Sequence, residues 1–260
     1  MIRYYDKTNH QLVYVNQKAD PQFWDEQWST NNFVKAIKGP KNRFTVRFTT
    51  KYLKRGARLL EGGCGRGDKV YALHRQGYDV YGVDYASKTV QQINEYTPEL
   101  KVSLGDVRNL QFDNDFFDGY WSFGVIEHFY DGYFPILKEM HRVLKNGGYL
   151  FLTTPSMSLL RSIKAKLGCY PKFQETDDIK QNFYQFALNS KSVTYNFERI
   201  GFQLIEMKFY GGNIGIQQDA NLCEPIFNPV CENRFSGSAI SLLTSQFANH
   251  MTLYIFKKNG

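Results

Sequence analysis

The sequence predicts an α/β protein built on a doubly wound, mostly parallel sheet. Three observations predict it. From residue 58 onward, short apolar runs alternate with helical segments, the pattern of strands joined by right-handed crossovers. The first apolar run, Arg58-Leu59-Leu60-Glu61, ends in a Gly-rich turn, and glycines there let the backbone approach a ligand closely. At 260 residues the chain is long for one small domain and short for two, so one core with insertions is expected.

The elements follow in order. Arg58 to Glu61 is the first strand and Val70 to Gln76 a helix. Asp79 to Asp84 is a second strand, Ser87 to Glu95 a helix, and Lys101 to Leu104 a third strand. Phe117 to Phe123 is a fourth strand, Tyr133 to Leu144 a helix, and Tyr149 to Thr153 a fifth strand. After Pro155 the rhythm breaks, and residues 156–188 show no clean period. Ser190 is positioned to cap a helix running to about Ile200, which Gly201 ends. Phe202 to Tyr210 and Met251 to Phe256 read as strands. The segment from Gly211 to about Ser238, rich in Gly, Asn and Gln with Pro225 and Pro229, reads as a long loop of the kind that forms lids. The first thirty residues, where Pro21, Phe23, Trp24 and Trp28 cluster, read as an extension and not as a sheet strand. The expected organisation is therefore an extension or lid over 1–40 and one domain over 41–260, with insertions near 156–188 and 211–238.

Composition excludes disorder, collagen and a disulfide scaffold, since 42% of residues are hydrophobic and 22% charged. Aromatics reach 16%, enough to build a large core and an aromatic-walled pocket besides. The N-terminus lacks the apolar stretch of a secretory signal, and no apolar run approaches the ~18 residues that span a bilayer. Cys64, Cys169, Cys223 and Cys231 show no CxxC pairing, so neither zinc nor a disulfide framework is expected. A reduced cytoplasmic compartment is the expectation.

The net charge of +7 is unevenly placed: residues 1–60 hold twelve Lys/Arg against four Asp/Glu. From Lys35 to Arg58 there are nine basic residues and no acid. Arg43, Arg47, Lys51, Lys54 and Arg58 fall at helical spacing, with Phe44, Phe48 and Tyr52 on a neighbouring stripe. Two readings stand: a solvated basic face, or a docking face for an anionic partner.

The chemistry concentrates in Leu59-Leu60-Glu61-Gly62-Gly63-Cys64-Gly65-Arg66-Gly67. A dinucleotide fold needs GxGxxG. Counted from Gly63 and Gly65 the third glycine falls at Asp68; counted from Gly62 the second falls at Cys64. An acid ahead of the glycines instead suits a ligand that carries an ammonium group and no pyrophosphate there. Asp84 ends the second strand, where a carboxylate accepts both hydroxyls of a ribose. Asp106 follows the third strand, placed to meet an adenine amino group. Any one of these acids also reads as a helix cap; three at successive strand ends point to one nucleoside-bearing ligand.

These residues resemble class I S-adenosylmethionine-dependent methyltransferases, of the small-molecule kind that includes ubiquinone-biosynthesis methylases. The resemblance covers roughly residues 45–155, and 184–210 more loosely. It includes Phe117-Asp118, Ser122-Phe123-Gly124-Val125-Ile126-Glu127-His128, and Arg142-Val143-Leu144-Lys145-Asn146-Gly147-Gly148, with Asn146 where the family usually has Pro. It implies a Rossmann-like sheet of seven strands whose last strand runs antiparallel, with Phe202–Tyr210 and Met251–Phe256 as the terminal hairpin. It implies S-adenosylmethionine as cofactor. Glu61, Gly63, Cys64 and Gly65 would line its methionine part, Asp84 would hold the ribose with Tyr85 beside the adenine, Asp106 and Val107 would read the adenine edge, and Ser122 and its neighbours would lie near the sulfonium. Some quinone-pathway relatives carry a metal-site acid three residues before the Glu127 position; here that residue is Gly124, and no metal is expected.

Methyl transfer needs alignment and, for a hydroxyl acceptor, a base. His128 is the candidate base, with packing or orientation of neighbours as its alternative role. Tyr170, Phe173, Phe183, Tyr184 and Phe186 are candidates to wall the acceptor pocket, and Trp24 and Trp28 to cover the cofactor, where a ring face favours a sulfonium. The expected reaction is methyl transfer to an oxygen or nitrogen of a small molecule: a sugar, a lipid-like ring or a secondary metabolite. The basic segment motivates an RNA methyltransferase as the alternative, although no RNA-binding module and no Asn/Asp-Pro-Pro-Tyr motif is present. A non-catalytic S-adenosylmethionine-binding protein is the third reading.

Overall fold

The computed structural model describes residues 1–219 and 244–260. The elements run in order β1 (Ile2–Asp6), β2 (Gln11–Val15), α1 (Pro21–Trp28), α2 (Phe33–Lys38), α3 (Arg43–Tyr52), β3 (Arg58–Gly62), α4 (Asp68–His74), β4 (Asp79–Asp84), α5 (Ser87–Tyr96) and β5 (Lys101–Leu104). There follow β6 (Phe117–Phe123), a single 3-10 turn at Ile126–His128, α6 (Phe134–Val143), β7 (Leu144–Pro155), α7 (Leu159–Lys166), α8 (Asp177–Gln181), β8 (Phe183–Ala187), α9 (Ser190–Glu198), β9 (Phe202–Tyr210), α10 (Gly212–Asp219) and β10 (Met251–Lys258).

The main sheet has seven strands in the order β5-β4-β3-β6-β7-β10-β9. β3 pairs parallel with β4 and β6, β4 with β5, and β6 with β7. β10 slots antiparallel between β7 and β9. The expected α/β sheet with an antiparallel last strand is therefore observed. Both faces are covered, which is why the central strands read as continuous apolar runs. One face carries Ile136, Leu137 and Met140 of α6 with Val193 and Phe197 of α9. The other carries Ile37 of α2, Phe48 of α3, Val70 of α4 and Ile93 of α5.

Trp121 anchors the second face. It is fully buried, lies between the rings of Phe123 at 4.5 Å and Phe151 at 4.4 Å, and its indole N–H donates to Thr49 Oγ1 of α3 at 2.9 Å. Trp121→Ala is expected to cost about 3–5 kcal/mol through lost burial and a cavity. Urea denaturation measures this, and a loss below about 1 kcal/mol would mean that α3 collapses onto the sheet without it.

Several local expectations are corrected. The first thirty residues do contain strands: β1 and β2 form a hairpin, and β2 pairs antiparallel with β8 in a second, three-stranded sheet. The Asp6 carboxylate closes the hairpin turn, accepting from the N–H groups of Thr8 and Asn9 at 3.0 and 3.1 Å. Residues 156–188 are ordered as α7, α8 and β8. The helix over 43–58 stops at Tyr52, so Lys54 lies beyond it and Arg58 opens β3, where its Nε donates to Asp79. Asn189, not Ser190, caps α9, accepting from the N–H of Lys191. Within the loop expected from Gly211 to Ser238, residues 212–219 are helix α10. The rest of that loop, with Pro225, Pro229, Cys223 and Cys231, lies outside the described residues. No helix among the described residues is long and apolar enough to cross a membrane.

Candidate active site

The carboxyl ends of β3, β4, β5 and β6 open into one cavity of about 720 Å3, counted to its mouth. Gly63 lines it from the turn after β3, Asp84 and Tyr85 from the end of β4, and Gly105, Asp106 and Val107 from the end of β5. Phe123, Gly124, Val125, His128 and Phe129 line it from β6 and the turn beyond, and Trp24 and Trp28 of α1 complete the wall.

The glycine turn is built for close approach. Gly63 and Gly65 have φ of 73° and 51°, a region that disfavours side chains. A Cβ on Gly63 would stand 2.5 Å from a Val125 methyl, and one on Gly65 would stand 3.0 Å from the Trp28 ring. Asp84 holds the turn in place: its Oδ2 accepts from the Gly65 N–H at 2.7 Å and its Oδ1 from the Ala86 N–H at 2.9 Å. Burial pushes the Asp84 carboxyl up, and these backbone donors pull against that shift.

Glu61 lies beneath the turn and off the cavity lining. It is 1% exposed, and neither carboxyl oxygen has a hydrogen-bond partner. The nearest cation, Lys69 Nζ, stands 3.8 Å away. Burial raises its pKa to about 8. Cys64 is buried with its thiol pushed well up by burial, so it packs and is not poised as a nucleophile. Ser122 is fully buried in β6 with an unpartnered hydroxyl, and it is not part of the cavity wall.

Asp106 does not present a free carboxylate. Arg108 grips it with Nε at 3.0 Å and Nη2 at 2.6 Å, and its own N–H adds a bond at 2.8 Å. Burial pushes Asp106 up, but Arg108 outweighs it and the carboxyl sits below its usual range. The guanidinium also lies 5.1 Å from the Phe129 ring centre.

His128 is fixed in one tautomer. Its Nδ1 lies 2.8 Å from the carbonyl oxygen of Tyr184. A carbonyl only accepts, so Nδ1 carries the proton and Nε2 keeps a free lone pair. Burial lowers the His128 pKa to about 4, so the ring is neutral near pH 7. Trp24 meets it edge-on at 5.0 Å, and Tyr184 meets it at 5.1 Å.

Helix α1 is tied across this edge at several points. Trp24 and Trp28 stack at 5.5 Å, and Arg66 of the glycine turn lies 5.6 Å from the Trp28 ring. The Tyr85 hydroxyl donates to the Ala19 carbonyl at 3.0 Å. Asp25 accepts from the N–H and hydroxyl of Thr89, both at 2.9 Å. It caps α5, whose own Ala86 has no side chain to do so.

Of the residues singled out from sequence, Gly63, Asp84, Tyr85, Asp106, Val107, His128, Trp24 and Trp28 meet in the cavity. Tyr184 stands behind His128. Tyr170 is elsewhere: it packs with Leu12, Tyr14 and Ala187 of the small sheet, and its hydroxyl donates to Asp219 at 3.2 Å. Phe123 and Val125, neighbours of Ser122 in the run expected near the sulfonium, line the cavity, and Phe129 was missed as a wall residue. The signal for Phe129 was position alone, just after the carboxyl end of a central strand.

The strand order and the ligand crevice at the carboxyl edge define a class I methyltransferase fold. The Methyltransf_11 family, described as a methyltransferase domain, matches residues 60–152. A demethylmenaquinone methyltransferase of Staphylococcus aureus is 26% identical over 181 residues, covering 62% of this chain and 74% of that protein. Among solved structures, one chain of the complex between the Haloferax volcanii Trm112 methyltransferase activator and the putative methyltransferase superposes with a TM-score of 0.60 at 18% identity, covering 91% of this chain and 98% of that one. The phosphoethanolamine N-methyltransferase 2 of Haemonchus contortus superposes with a TM-score of 0.57 at 17% identity, covering 92% of this chain and 56% of that one. At such identities the superpositions speak for the fold. The family match over residues 60–152, the fold and the site together indicate S-adenosylmethionine-dependent methyl transfer.

Proposed function

We propose that the enzyme transfers a methyl group to an oxygen or nitrogen of a small-molecule acceptor that enters beneath α1. One observation carries this reading: the cofactor-type glycine turn, Asp84 and His128 share a single cavity walled by Trp24, Trp28, Phe123 and Phe129. Such a ring-lined cleft suits a small acceptor. When bound, S-adenosylmethionine supplies a methyl group already activated by its sulfonium.

The residues present fit that cofactor. Glu61 is a buried carboxyl with no hydrogen-bond partner, 3.8 Å from Lys69, beneath a glycine-rich turn, the complement of an amino-acid ammonium. Gly63, Cys64 and Gly65 offer backbone to the same part. Asp84 keeps acceptor capacity for a ribose beyond its two backbone bonds, and Tyr85 and Val107 flank the adenine position. Asp106 reads the adenine edge with an oxygen shared with Arg108. Ser122 supports the strand end from behind and touches nothing in the cavity. His128 offers Nε2 as a neutral acceptor that orients an acceptor O–H or N–H; a base with a pKa near 4 draws a proton only weakly.

α1 serves as a lid. Asp25→Ala is expected to speed hydrogen exchange at residues 20–28 at least tenfold, while costing about 1 kcal/mol of stability through the lost α5 cap. Unchanged exchange there would remove the latch.

A second reading, methylation of RNA, has one observation in its favour. Lys35, Lys41, Arg43, Arg47, Lys54 and Arg55 are exposed and form no ion pair among the described residues. Turnover separates the two: S-adenosylhomocysteine release is measured with hydroxylated and amino small molecules and with RNA across a salt series. The proposal expects release with small acceptors. Release with RNA alone, falling steeply with salt, would replace it.

A further inference from the structure

Behind the cavity lies a buried acid that the cofactor-site reading does not use. Glu127 sits on the turn at Ile126–His128, is 1% exposed, and its Oε2 has no hydrogen-bond partner. It lies against the cavity wall: a Cβ on Gly124, which lines the cavity, would stand 3.2 Å from Glu127 Oε1. An unpaired carboxyl in that position costs stability unless a ligand completes it.

Four rings, the adjoining His128 among them, close on one another. Trp24 meets His128 at 5.0 Å, His128 meets Tyr184 at 5.1 Å, Tyr184 meets Phe23 at 5.9 Å, and Phe23 meets Trp24 at 5.0 Å. Burial raises the Tyr184 hydroxyl, and the Glu127 carboxyl adds to the shift, as it does at Tyr210 and Tyr254. Ring faces and a carboxylate together attract a cation. No Lys or Arg lines the cavity among the described residues, so an acceptor bearing phosphate or carboxylate finds no counter-charge.

We infer that the acceptor is an amine, held as its ammonium between Glu127 and the Trp24–His128–Tyr184 wall and methylated at nitrogen. The inference rests on reading this cavity as the site of methyl transfer. An alkyl hydroxyl is too weak an acid to give its proton to Glu127 or to the neutral His128, whereas an ammonium gives one up far more readily. An ammonium needs a proton sink, and Glu127 is one. At pH 7.5 the free Glu127 holds a proton, which the arriving ammonium displaces to solvent; the bound ammonium then gives one of its own protons to the Glu127 carboxylate. The freed nitrogen lone pair then forms the N–C bond to the methyl group as the S–C bond breaks. That electron pair stays on sulfur as a neutral thioether. The positive charge passes from sulfonium to the methylated ammonium, so charge and protons balance. Burial raises the Glu127 pKa to about 8, which matches it to an amine's proton better than an ordinary carboxylate.

The test is calorimetric titration of the S-adenosylhomocysteine-saturated protein at pH 7.5 with phenethylamine and tryptamine, and with their isosteric alcohols 2-phenylethanol and tryptophol. The amines are expected to bind at least tenfold tighter than the alcohols. Glu127→Gln is expected to erase that preference while leaving S-adenosylhomocysteine affinity within about threefold. Alcohols binding as well as amines to the wild-type protein would overturn the inference, and this comparison decides alone should the variant fail to fold. An amine preference that survives Glu127→Gln would overturn it too. S-adenosylhomocysteine failing to bind the wild-type protein would instead remove the reading of the cavity on which the inference rests.

Discussion

Asp84→Ala is expected to weaken S-adenosylhomocysteine binding by about 2–3 kcal/mol, a loss of roughly 30- to 150-fold. Two charge-assisted bonds to a ribose, each worth about 1.5 kcal/mol or more, set the scale. The structure adds a second route to the same loss. Asp84 also holds the N–H groups of Gly65 and Ala86, so its removal loosens the glycine turn that receives the other end of the cofactor. Asp84→Asn separates the two routes. One amide oxygen retains a single backbone bond and the charge is gone, so an intermediate loss is expected. Calorimetry measures each constant, and an unchanged value for Asp84→Ala would mean that the ribose lies elsewhere.

Glu61→Gln is expected to move stability and binding in opposite directions. The wild-type carboxyl titrates near pH 8 in the folded protein, against 4.5 for an ordinary glutamate. The folded state therefore holds a proton that the unfolded chain has lost between these values. Stability without cofactor falls as pH rises from about 4.5 to 8. Glu127, likewise raised to about 8 by burial, contributes a slope of the same sign. Glu61→Gln removes the first slope. The variant should be more stable than wild type at pH 8 by about 2–4 kcal/mol, and close to it at pH 4.5. Binding should weaken by 10- to 100-fold, since a neutral amide cannot answer an ammonium; that is about 1.5–3 kcal/mol for a charged hydrogen bond. Wild-type binding below pH 8 should also release a proton, detectable as a buffer-dependent heat. Denaturation at the two pH values tests the first claim. A variant less stable than wild type at pH 8 would show that Lys69 already neutralises Glu61.

How much of this was legible in the sequence depended on whether the signal was local. β3 to β7 were readable because each parallel strand is an apolar run between helices. The glycine turn and the acids at 61, 84 and 106 were readable because strand ends project ligands' partners at fixed places. The first hairpin was not. Its partner β8 lies some 170 residues on, and Ile2-Arg3-Tyr4-Tyr5-Asp6 alone resembles an extension. Tyr170 misled for the same reason. Arg161 of α7 is fully buried and donates to Asp219 at 2.8 Å, and the Tyr170 hydroxyl joins that pair away from the cavity. Arg108 gripping Asp106 was unforeseen because two residues in sequence seldom face each other, and only the turn after β5 brings them together.

Hydrogen exchange with and without S-adenosylhomocysteine tests the central claim most directly, because it asks where the cofactor sits as well as whether it binds. The account predicts slowed exchange at residues 61–67, 84–86 and 105–108, with residues 20–28 slowed as α1 closes over them. Exchange unchanged in 61–67 and 84–86 under saturating ligand would contradict it.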